Sequence, residues 1–479
     1  MLTDRDQCLR VVQAKDARFD GWFFTAVLTT GIYCRPSCPA VPPKPQNIVF
    51  HPTAASAQVA GFRACKRCRP DATPGSPEWD LRSDVVARAV RLIADGVVDR
   101  DGVPGLASRL GYSRRQLERM LHAELGAGPL GLARAQRAQT ARLLIETTGL
   151  PFADVAFAAG FGSVRQFNDT VREVFASTPG DLRTRVAAKQ PPAKGTVTVR
   201  LPFRQPLFPD NLFGHLVATG VPGVEEWRDG AYRRTLRLPH GHGVVALAPR
   251  PDHILCTLAL QDLRDLSVAI ARCRRLLDLD ADPEAVDALL ATDPLLEPLV
   301  RKAPGRRVPR TVDEQEMALR AVLGQQVSTK AARTLAGRLV TAFGEPIDDP
   351  TLTHLFPTAE ALVDAGEHLA MPASRRETVL RLARALADGT VDLDPGVDRL
   401  AARAQLGALK GIGPWTVETI AMRCLGDPDA FLPTDLGVAQ ALQGLGSPDP
   451  ERWRPWRAYA VQHLWALGNH PINDLPGEP

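Results

Sequence analysis

Long apolar runs are missing from this sequence of 479 residues. No stretch approaches the roughly 20 apolar residues that a membrane-spanning helix needs. The amino-terminal segment MLTDRDQCLR also lacks the apolar region of a secretory signal. These absences argue against a membrane protein, and we expect a cytoplasmic one. The length suits three or four domains, each with its own core.

A strong overall charge is missing as well, since the formal net charge is only +4. The charge is unevenly spread. Residues 1–190 hold 26 lysines and arginines against 18 acidic residues, whereas the remainder holds 32 against 36. The first part is therefore the more obvious binder of a polyanion such as DNA. A GC-rich genome would produce the same arginine excess, so the charge only supports the motifs described below.

Two closely spaced cysteine pairs stand out among the eight cysteines. Cys34 and Cys38 are separated by three residues, Cys65 and Cys68 by two, and 26 residues lie between the pairs. This spacing is typical of a tetrahedral zinc site with four thiolate ligands, and the missing export signal favours metal over disulfides. We therefore predict one Zn²⁺. A closed four-cysteine site usually has a structural role.

Two segments carry a resemblance that goes further than the spacing. FFTAVLTTGIYCRPSC (residues 23–38) and VAGFRACKRCRPD (residues 59–71) resemble the amino-terminal zinc domain of the Ada methylation-response proteins. The resemblance implies a domain at residues 1–76, in which Cys34 is both a zinc ligand and the nucleophile that accepts a methyl group from a DNA methyl phosphotriester. Six basic side chains are candidates for holding the DNA backbone, although each could equally be solvated surface: Arg35, Lys44, Arg63, Lys66, Arg67 and Arg69.

One pattern occurs twice in the next part of the chain. After a linker, SPEWDLRSD (residues 76–84), and an amphipathic helix at 85–93, residues 106–121 and 155–171 each show an apolar helix, a glycine turn and a serine followed three residues later by glutamine. The serine marks the start of a second helix. This pattern predicts two helix-turn-helix units within residues 79–188. The alternative is a helical bundle that binds protein.

The doubled pattern resembles the AraC-type regulators, including AGFGSVRQF and the ending VFASTPGDLR. Two such units can enter successive major grooves of a DNA duplex about 34 Å apart. The candidates for DNA contact are Arg114, Arg115, Arg119, Arg165 and Gln166.

Strand-like alternation follows a second linker, AAKQPPAKG (residues 187–195). TVTVRL, YRRTLRL, GVVALAP and HILCTLAL predict antiparallel strands, with helices near 211–219 and 263–277. PFRQPLFPDNLFGHL and VPGVEEW in this segment resemble the TBP-like α+β domain that begins the AlkA-type glycosylases. We expect residues 195–305 to support the following domain without chemistry of their own, and Cys256 and Cys273 to be buried small residues.

Two predicted helices near the carboxyl end are joined by a glycine-rich turn. Residues 398–409 and 416–425 carry apolar residues at helical spacing, and Gly411 and Gly413 lie between them. Such a helix-hairpin-helix lets the backbone approach a DNA phosphate closely, although a lone Gly-Ile-Gly is also an ordinary turn. Asp435 follows 22 residues after the second glycine, in a proline-containing turn that leads into another helix.

Four blocks in order make residues 317–465 look like the helix-hairpin-helix DNA glycosylases of the AlkA type (3-methyladenine-DNA glycosylase II). They are ALRAVLGQQVS, LKGIGPWT, FLPTD and ERWRPWRAYAVQHLW. The resemblance implies a glycosylase domain at 306–475 in which Asp435 is the catalytic carboxylate, Trp415 and Trp465 line the base pocket, and Gln326 wedges into the gap left by the extruded nucleotide. Core packing is the plainer reading for either tryptophan. Thr419 stands where these pockets have an aromatic residue, which leaves the substrate range open.

The expected chemistry follows from the residues at this site. Bifunctional relatives have a nucleophilic lysine two residues after the second hairpin glycine, and Trp415 takes that place here, so we predict a monofunctional glycosylase without lyase activity. An alkylated purine is already a good leaving group. The enzyme then needs mainly a carboxylate, Asp435, to stabilise the oxocarbenium-like transition state and orient water.

The sequence as a whole predicts a multidomain protein, mainly α with α+β parts. We expect a methyl phosphotriester acceptor and transcriptional regulator joined to a glycosylase for alkylated purines, with double-stranded DNA as the partner and RNA polymerase as a further candidate. Two alternatives are a regulator with an inactive glycosylase half, and a glycosylase whose front half recruits it to DNA through a structural zinc. No Pro-Cys-His-Arg motif is present, so the alkylguanine methyltransferase of Ada proteins and repair of O6-methylguanine are not predicted.

Overall fold

The computed structural model describes residues 4–70, 84–184, 196–446, 448–468, 470–475 and 477. The linker at 187–195 and all but Asp84 of the linker at 76–84 lie outside them. The chain divides into two compact units, the first built from residues 1–203, 238–242 and 256–271, and the second from 204–237, 243–255 and 272–479. Helices predominate, and among the described residues none is long and apolar enough to cross a membrane. The predicted fold class is confirmed, and the bounds of the four predicted domains stay predictions.

The first unit begins with a small sheet flanked by two helices. Its elements are α1 (Arg5–Ala14), β1 (Phe24–Val27), β2 (Ile32–Cys34), β3 (Ile48–His51), α2 (Ala54–Val59) and β4 (Arg63–Ala64). The strand order is β3-β1-β2-β4. β1 pairs antiparallel with both β2 and β3, whereas β2 and β4 run parallel. Ala26 and Tyr33, fully buried, form part of the core beneath this sheet.

A helical bundle forms the next part of the first unit. It contains α3 (Val85–Ala94), α4 (Val97–Leu110), α5 (Arg114–Leu125), α6 (Pro129–Thr147), α7 (Phe152–Ala158), α8 (Val164–Phe175) and α9 (Pro179–Thr184). Gly102 interrupts α4 with a φ of 68°. Ser113 and Ser163 cap α5 and α8, each accepting a hydrogen bond from the backbone N–H of the glutamine three residues on. Both predicted helix-turn-helix units are therefore present.

Three contacts hold the small sheet domain against this bundle. The Thr53 hydroxyl donates to the carbonyl of Leu125 at 3.1 Å. Lys66 donates to the carbonyl of Ala176 at 3.1 Å. Arg69 forms an ion pair of 2.6 Å with Glu146 on α6. Lys66 and Arg69, which belong to the six basic side chains proposed for the DNA backbone, thus have partners in the bundle.

Five strands follow, and four of them match the predicted ones. They are β5 (Thr196–Pro202), β6 (Glu225–Arg228), β7 (Ala231–Leu238), β8 (Gly241–Pro249) and β9 (His253–Leu260), with helices α10 (Pro209–Ala218) and α11 (Leu266–Leu276). In the second unit β8, β7 and β6 lie side by side in that order. β6 and β7 are antiparallel, with Glu225 opposite Arg234 and Trp227 opposite Tyr232. The short strand β6 was not predicted.

The rest of the second unit is helical. Its helices are α12 (Pro283–Leu290), α13 (Glu297–Lys302), α14 (Glu314–Leu323), α15 (Thr329–Phe343), α16 (Ala359–Leu362), α17 (Ala373–Ala387), α18 (Arg399–Gly407), α19 (Pro414–Arg423), α20 (Leu436–Gly444) and α21 (Arg457–Trp465). The predicted helix-hairpin-helix is α18 and α19. Proline opens α19, where a missing backbone N–H costs no helical hydrogen bond.

A buried charge network joins strands β6 and β7 to α14 within the second unit. Arg234 contacts Glu225 at 3.3 Å and Glu316 at 2.8 Å, while Arg320 contacts the same two carboxylates at 3.0 and 2.7 Å. The alternating charges satisfy one another away from water. Removing one partner of such a network typically costs about 3–5 kcal/mol. Arg320 also donates to the carbonyl of Thr219, which caps the carboxyl end of α10, at 2.8 Å.

Candidate functional site

The zinc cluster is assembled by the parallel pairing of β2 and β4. β2 ends at Cys34, and Cys65 follows directly after β4, so both cysteines lie at the same edge of the sheet. Cys38 and Cys68 come from the turns that follow. The four Sγ atoms lie within 4.8 Å of one another. A tetrahedral zinc ion with Zn–S bonds of about 2.3 Å needs sulfurs about 3.8 Å apart, so the cluster fits zinc.

The sulfurs differ in their surroundings. Cys65 and Cys68 are buried, whereas Cys34 and Cys38 are partly exposed. The neighbouring Cys38 thiol raises the pKa of Cys34, and the Cys34 thiol in turn lowers that of Cys38 to about 2. Binding of a metal ion releases the protons of the thiols that become its ligands.

A buried carboxylate supports the loop between Cys34 and Cys38. Asp20 is 5% exposed and accepts hydrogen bonds from the backbone N–H and the hydroxyl of Ser37, at 3.0 and 2.6 Å. Arg35 lies 3.3 Å from the same carboxylate. This anchor holds the cysteine loop in one conformation and keeps a cation beside Cys34.

The predicted recognition helices expose the side chains that we singled out. In α5 the residues Leu117, Leu121 and Leu125 are fully buried, and in α8 Phe167 and Val171 are. The opposite faces point to solvent. All five candidates for DNA contact are exposed: Arg114, Arg115, Arg119, Arg165 and Gln166.

The two hairpin glycines have different surroundings. Gly411 has a φ of 95°, and a Cβ added there would lie 2.1 Å from the hydroxyl oxygen of Thr378. Gly413 has an ordinary φ of −92°, and no heavy atom lies within 4 Å of the place where its Cβ would be. Gln325 braces the turn, donating to the carbonyl of Gly411 at 3.2 Å and to the hydroxyl of Thr416 at 2.8 Å.

Three donors converge on the carboxylate of Asp435. Asp435 caps α20, where its Oδ1 accepts from the backbone N–H of Val438 at 3.1 Å. The indole Nε1–H of Trp465 donates to the same oxygen at 2.9 Å, and that of Trp415 donates to Oδ2 at 3.1 Å. All three side chains are partly exposed. The carboxylate is thus held in one orientation at a helix amino terminus, which favours negative charge.

A buried histidine lies behind Trp465. His215 on α10 stacks against the indole with ring centroids 5.7 Å apart and an interplanar angle of 29°. Its Nε2 lies 2.6 Å from a guanidinium nitrogen of Arg423. Burial and the charge of Arg423 hold the pKa of His215 well below its usual value. Thr419, the residue that departs from the expected pocket wall, is buried and donates its hydroxyl to the carbonyl of Trp415.

Gln326 is exposed and has a φ of 55°, a left-handed conformation uncommon for a residue with a side chain. Two cavities of about 400 and 420 Å³ lie elsewhere in the second unit. Neither is lined by Asp435 or by either tryptophan. Asp435 itself is partly exposed.

Motif spacing missed three residues of this site: Gln325, His215 and Arg423. Gln325 is adjacent to the predicted wedge, and only its side-chain contacts reveal its role. His215 belongs to the segment for which we expected no chemistry, so a purely supporting role for residues 195–305 leaves it out. Arg423 lies 208 residues from His215, and no local pattern joins them.

Known families match three parts of the chain. Residues 7–71 match the metal binding domain of Ada, residues 106–185 a helix-turn-helix domain, and residues 198–313 the AlkA N-terminal domain. The match at residues 7–71 and the geometry of the four cysteines together make the cluster a single zinc site.

Three relatives match the whole chain or a part of it. A probable bifunctional transcriptional activator/DNA repair enzyme AlkA from Mycobacterium tuberculosis is 62% identical over 491 residues, covering 99% of each chain. DNA-3-methyladenine glycosylase 2 of Escherichia coli is 34% identical and covers 53% of this chain and 92% of its own. Regulatory protein ada of Salmonella typhimurium is 37% identical, and the match covers 33% of this chain and 42% of its own. The chain belongs to the family of AlkA-type bifunctional transcriptional activators and DNA repair enzymes.

Proposed function

We propose that this protein removes alkylated purines, such as 3-methyladenine, from duplex DNA by hydrolysing their N-glycosidic bond. The observation that supports this most is the convergence of the Trp415 and Trp465 indole N–H groups on Asp435. A carboxylate held near C1′ of the extruded nucleotide stabilises the positive charge that develops on the sugar and orients the attacking water. The cationic base leaves without much help from a general acid. Trp415 at the lysine position makes the enzyme monofunctional.

The hairpin holds the duplex beside this carboxylate. The backbone at Gly413 is open to solvent, and the first N–H groups of α19 have no partner within the helix. A phosphate can approach them closely, and this contact reads no sequence. Gln326, exposed just before α15, fills the gap that the extruded nucleotide leaves. Extrusion costs a few kcal/mol, and least where the damaged pair is already weak.

The tryptophans also supply a preference for damaged bases. An electron-deficient purine over an indole face gains about 0.5–2 kcal/mol of cation–π attraction. His215 covers one face of Trp465, which leaves the other face and the exposed part of Trp415 for the base. Thr419 contributes no aromatic surface, so the substrate range depends on these two rings.

We also propose that Cys34 accepts a methyl group from a DNA methyl phosphotriester. When bound, zinc keeps the sulfur deprotonated while leaving it nucleophilic. The Cys34 sulfur attacks the methyl carbon, and the bond between that carbon and the phosphate oxygen breaks. The phosphotriester thereby becomes an ordinary phosphodiester. The partial exposure of Cys34 fits this role. Methylation removes one negative charge from the cluster, which weakens its repulsion of DNA and favours tighter binding.

The third part of the proposal is regulation. The exposed residues of α5 and α8 enter the major groove and read a promoter in double-stranded DNA, and a transcriptional activator bound there contacts RNA polymerase. Since both activities act on chromosomal DNA, we place the protein in the cytoplasm.

Release of 3-methyladenine and 7-methylguanine from alkylated duplex DNA tests the glycosylase directly. We compare the intact protein with Asp435→Asn, under conditions where both bind the DNA equally. Asp313→Asn is the matched control, because Asp313 caps α14 in the same way without contacting either tryptophan. Excision that is lost in Asp435→Asn and kept in the control supports the proposal. If none of the three proteins releases a base while all bind DNA, the second unit only holds DNA and the protein acts as a regulator.

Mass spectrometry tests the second activity. After exposure to DNA carrying methyl phosphotriesters, one added methyl group on Cys34 is expected. An unmodified Cys34 with zinc still bound would make the cluster purely structural.

A further inference from the structure

The contacts of His215 fix its protonation state. The side chain is 7% exposed, and its Nε2 lies 2.6 Å from Nη1 of Arg423. A guanidinium can only donate, so Nε2 accepts with its lone pair and the single ring hydrogen is on Nδ1. A second proton, on Nε2, would turn an N–H of a charged imidazolium toward an N–H of the charged Arg423 guanidinium. His215 is therefore a neutral ring held at one edge by Arg423.

The face of the His215 ring is committed to Trp465. The two ring centroids are 5.7 Å apart. A base inserted between them would need rings about 7 Å apart, since each stacked layer takes about 3.5 Å. No base fits there. His215 thus closes one face of Trp465 and acts on the protein's own indole.

The indole is confined on further sides. A Cβ on Gly437 would lie 3.2 Å from Cδ1 of Trp465, a tight contact that glycine avoids at this edge of the ring. Asn473 donates to the Trp465 carbonyl at 3.0 Å. With His215 against one face of the ring, the Nε1–H donates to Oδ1 of Asp435 at 2.9 Å.

We propose that His215 is a positioning residue for base excision, in which a neutral ring held by Arg423 keeps Trp465 aimed at Asp435. The proposal rests on the role of Asp435 put forward above. It extends the site into the segment that precedes the glycosylase helices. A misplacement of about 1 Å at a reacting group can cost a hundredfold in rate, so a support behind the indole matters even without touching the substrate.

The test compares three variants of the full-length protein. His215→Leu removes the stacked ring, and His215→Phe restores a ring without the Nε2 acceptor. Phe213→Leu is the matched control, since Phe213 is fully buried on the same helix but packs against Trp227. For each protein we measure single-turnover base release, affinity for a duplex with an abasic site, and the indole Nε1–H resonance of Trp465, assigned with Trp465→Phe.

We expect His215→Leu to slow base release about ten- to a hundredfold while affinity changes by no more than about twofold. Its Trp465 resonance should move toward the position seen in Asp435→Asn. His215→Phe should recover most of the rate and of the resonance. Phe213→Leu should change thermal stability alone.

Three results would overturn the inference. One is a His215→Leu protein with the wild-type rate and resonance. Another is an equal loss in His215→Leu and His215→Phe, which would assign the effect to the Arg423 contact and leave the stacked ring without a role. The third is a parallel loss of affinity and rate, which would indicate a general structural effect. If the wild-type protein releases no base, the proposed function fails, and the resonance alone still decides whether His215 aims Trp465 at Asp435.

Discussion

The two hairpin glycines can be separated by experiment, because the fold requires one of them and the proposed phosphate contact requires the other. Gly411 has a φ of 95°, and a Cβ there would lie 2.1 Å from Oγ1 and 2.9 Å from Cγ2 of Thr378. Thr378 is 4% exposed, and its hydroxyl donates to the carbonyl of Ser374 at 2.9 Å. Gly413 has a φ of −92° with open space around it. Alanine is therefore strained at the first position and tolerated at the second.

Magnitudes follow from this geometry. A positive φ costs an alanine about 1–2 kcal/mol, and overpacking adds about 1–3 kcal/mol. We expect Gly411→Ala to lower the free energy of unfolding of its unit by about 2–5 kcal/mol. In Gly413→Ala, a slightly poorer helix cap is offset by the reduced entropy of the unfolded chain. The net change should stay within about 0.5 kcal/mol.

DNA affinity should show the opposite order. A methyl group on Gly413 would stand at the proposed phosphate contact, and losing a hydrogen bond to a charged group costs about 1.5–3 kcal/mol. We therefore expect Gly413→Ala to bind an abasic-site duplex about 10- to 100-fold more weakly, as measured by fluorescence anisotropy. Urea denaturation measures the stability of both variants.

Either half of this reasoning can fail on its own. Wild-type affinity in Gly413→Ala would refute the phosphate contact at the hairpin. Wild-type stability in Gly411→Ala would refute the steric argument. Adding Thr378→Ala to Gly411→Ala should recover the part of the loss that comes from overpacking, and the part caused by the positive φ should remain.

Three further predictions follow. Trp465→Phe keeps a ring against His215 but removes the N–H from Asp435, so single-turnover base release should slow about tenfold, the equivalent of about 1.4 kcal/mol; an unchanged rate would deny that donor a role. A strong chelator should release one zinc per chain and unfold the small sheet domain while the helical signal of the bundle persists, as followed by metal titration and circular dichroism; release of zinc without any structural change would contradict this. Burial lowers the pKa of His463 from 6.5 to about 3, so the folded state excludes a proton that the unfolded chain binds. The free energy of unfolding is therefore highest above about pH 6.5 and falls by up to about 5 kcal/mol as the pH drops toward 3. In His463→Leu, the free energy of unfolding measured with urea should depend less on pH in this window. The same dependence as in the wild-type protein would refute the assignment.

Local patterns in the sequence predicted the parts of the fold that local chemistry determines. Ser113 and Ser163 with their glutamines marked the starts of two helices, because a serine cap and the N–H that it satisfies are three residues apart. Gly411 marked a tight turn, because glycine adopts a positive φ without strain. The cysteine spacing predicted the zinc cluster, although the parallel pairing of β2 and β4 that assembles it was not visible.

The remaining features depend on contacts between distant residues. Trp415 and Trp465 lie 20 and 30 residues from Asp435, and their motifs could not show that both indole N–H groups donate to this carboxylate. His215 and Arg423 meet across 208 residues through the packing of two helices. Tertiary packing decides such contacts, and residue type and spacing do not encode them.

The contacts between the zinc domain and the helix-turn-helix bundle have a consequence for promoters. The zinc domain contacts three different parts of the bundle. Thr53 and Lys66 donate hydrogen bonds to the carbonyls of Leu125 and Ala176, and Arg69 forms an ion pair with Glu146. Three separate anchors oppose rotation of one domain against the other. A sensor fastened in this way meets a duplex at a set angle from the recognition helices. DNA turns once in about 10–10.5 base pairs, so a damaged phosphate half a turn away faces the far side of the duplex. Gene activation should then depend on the helical phase between lesion and operator. Inserting five base pairs between them should abolish activation, and inserting ten should restore it.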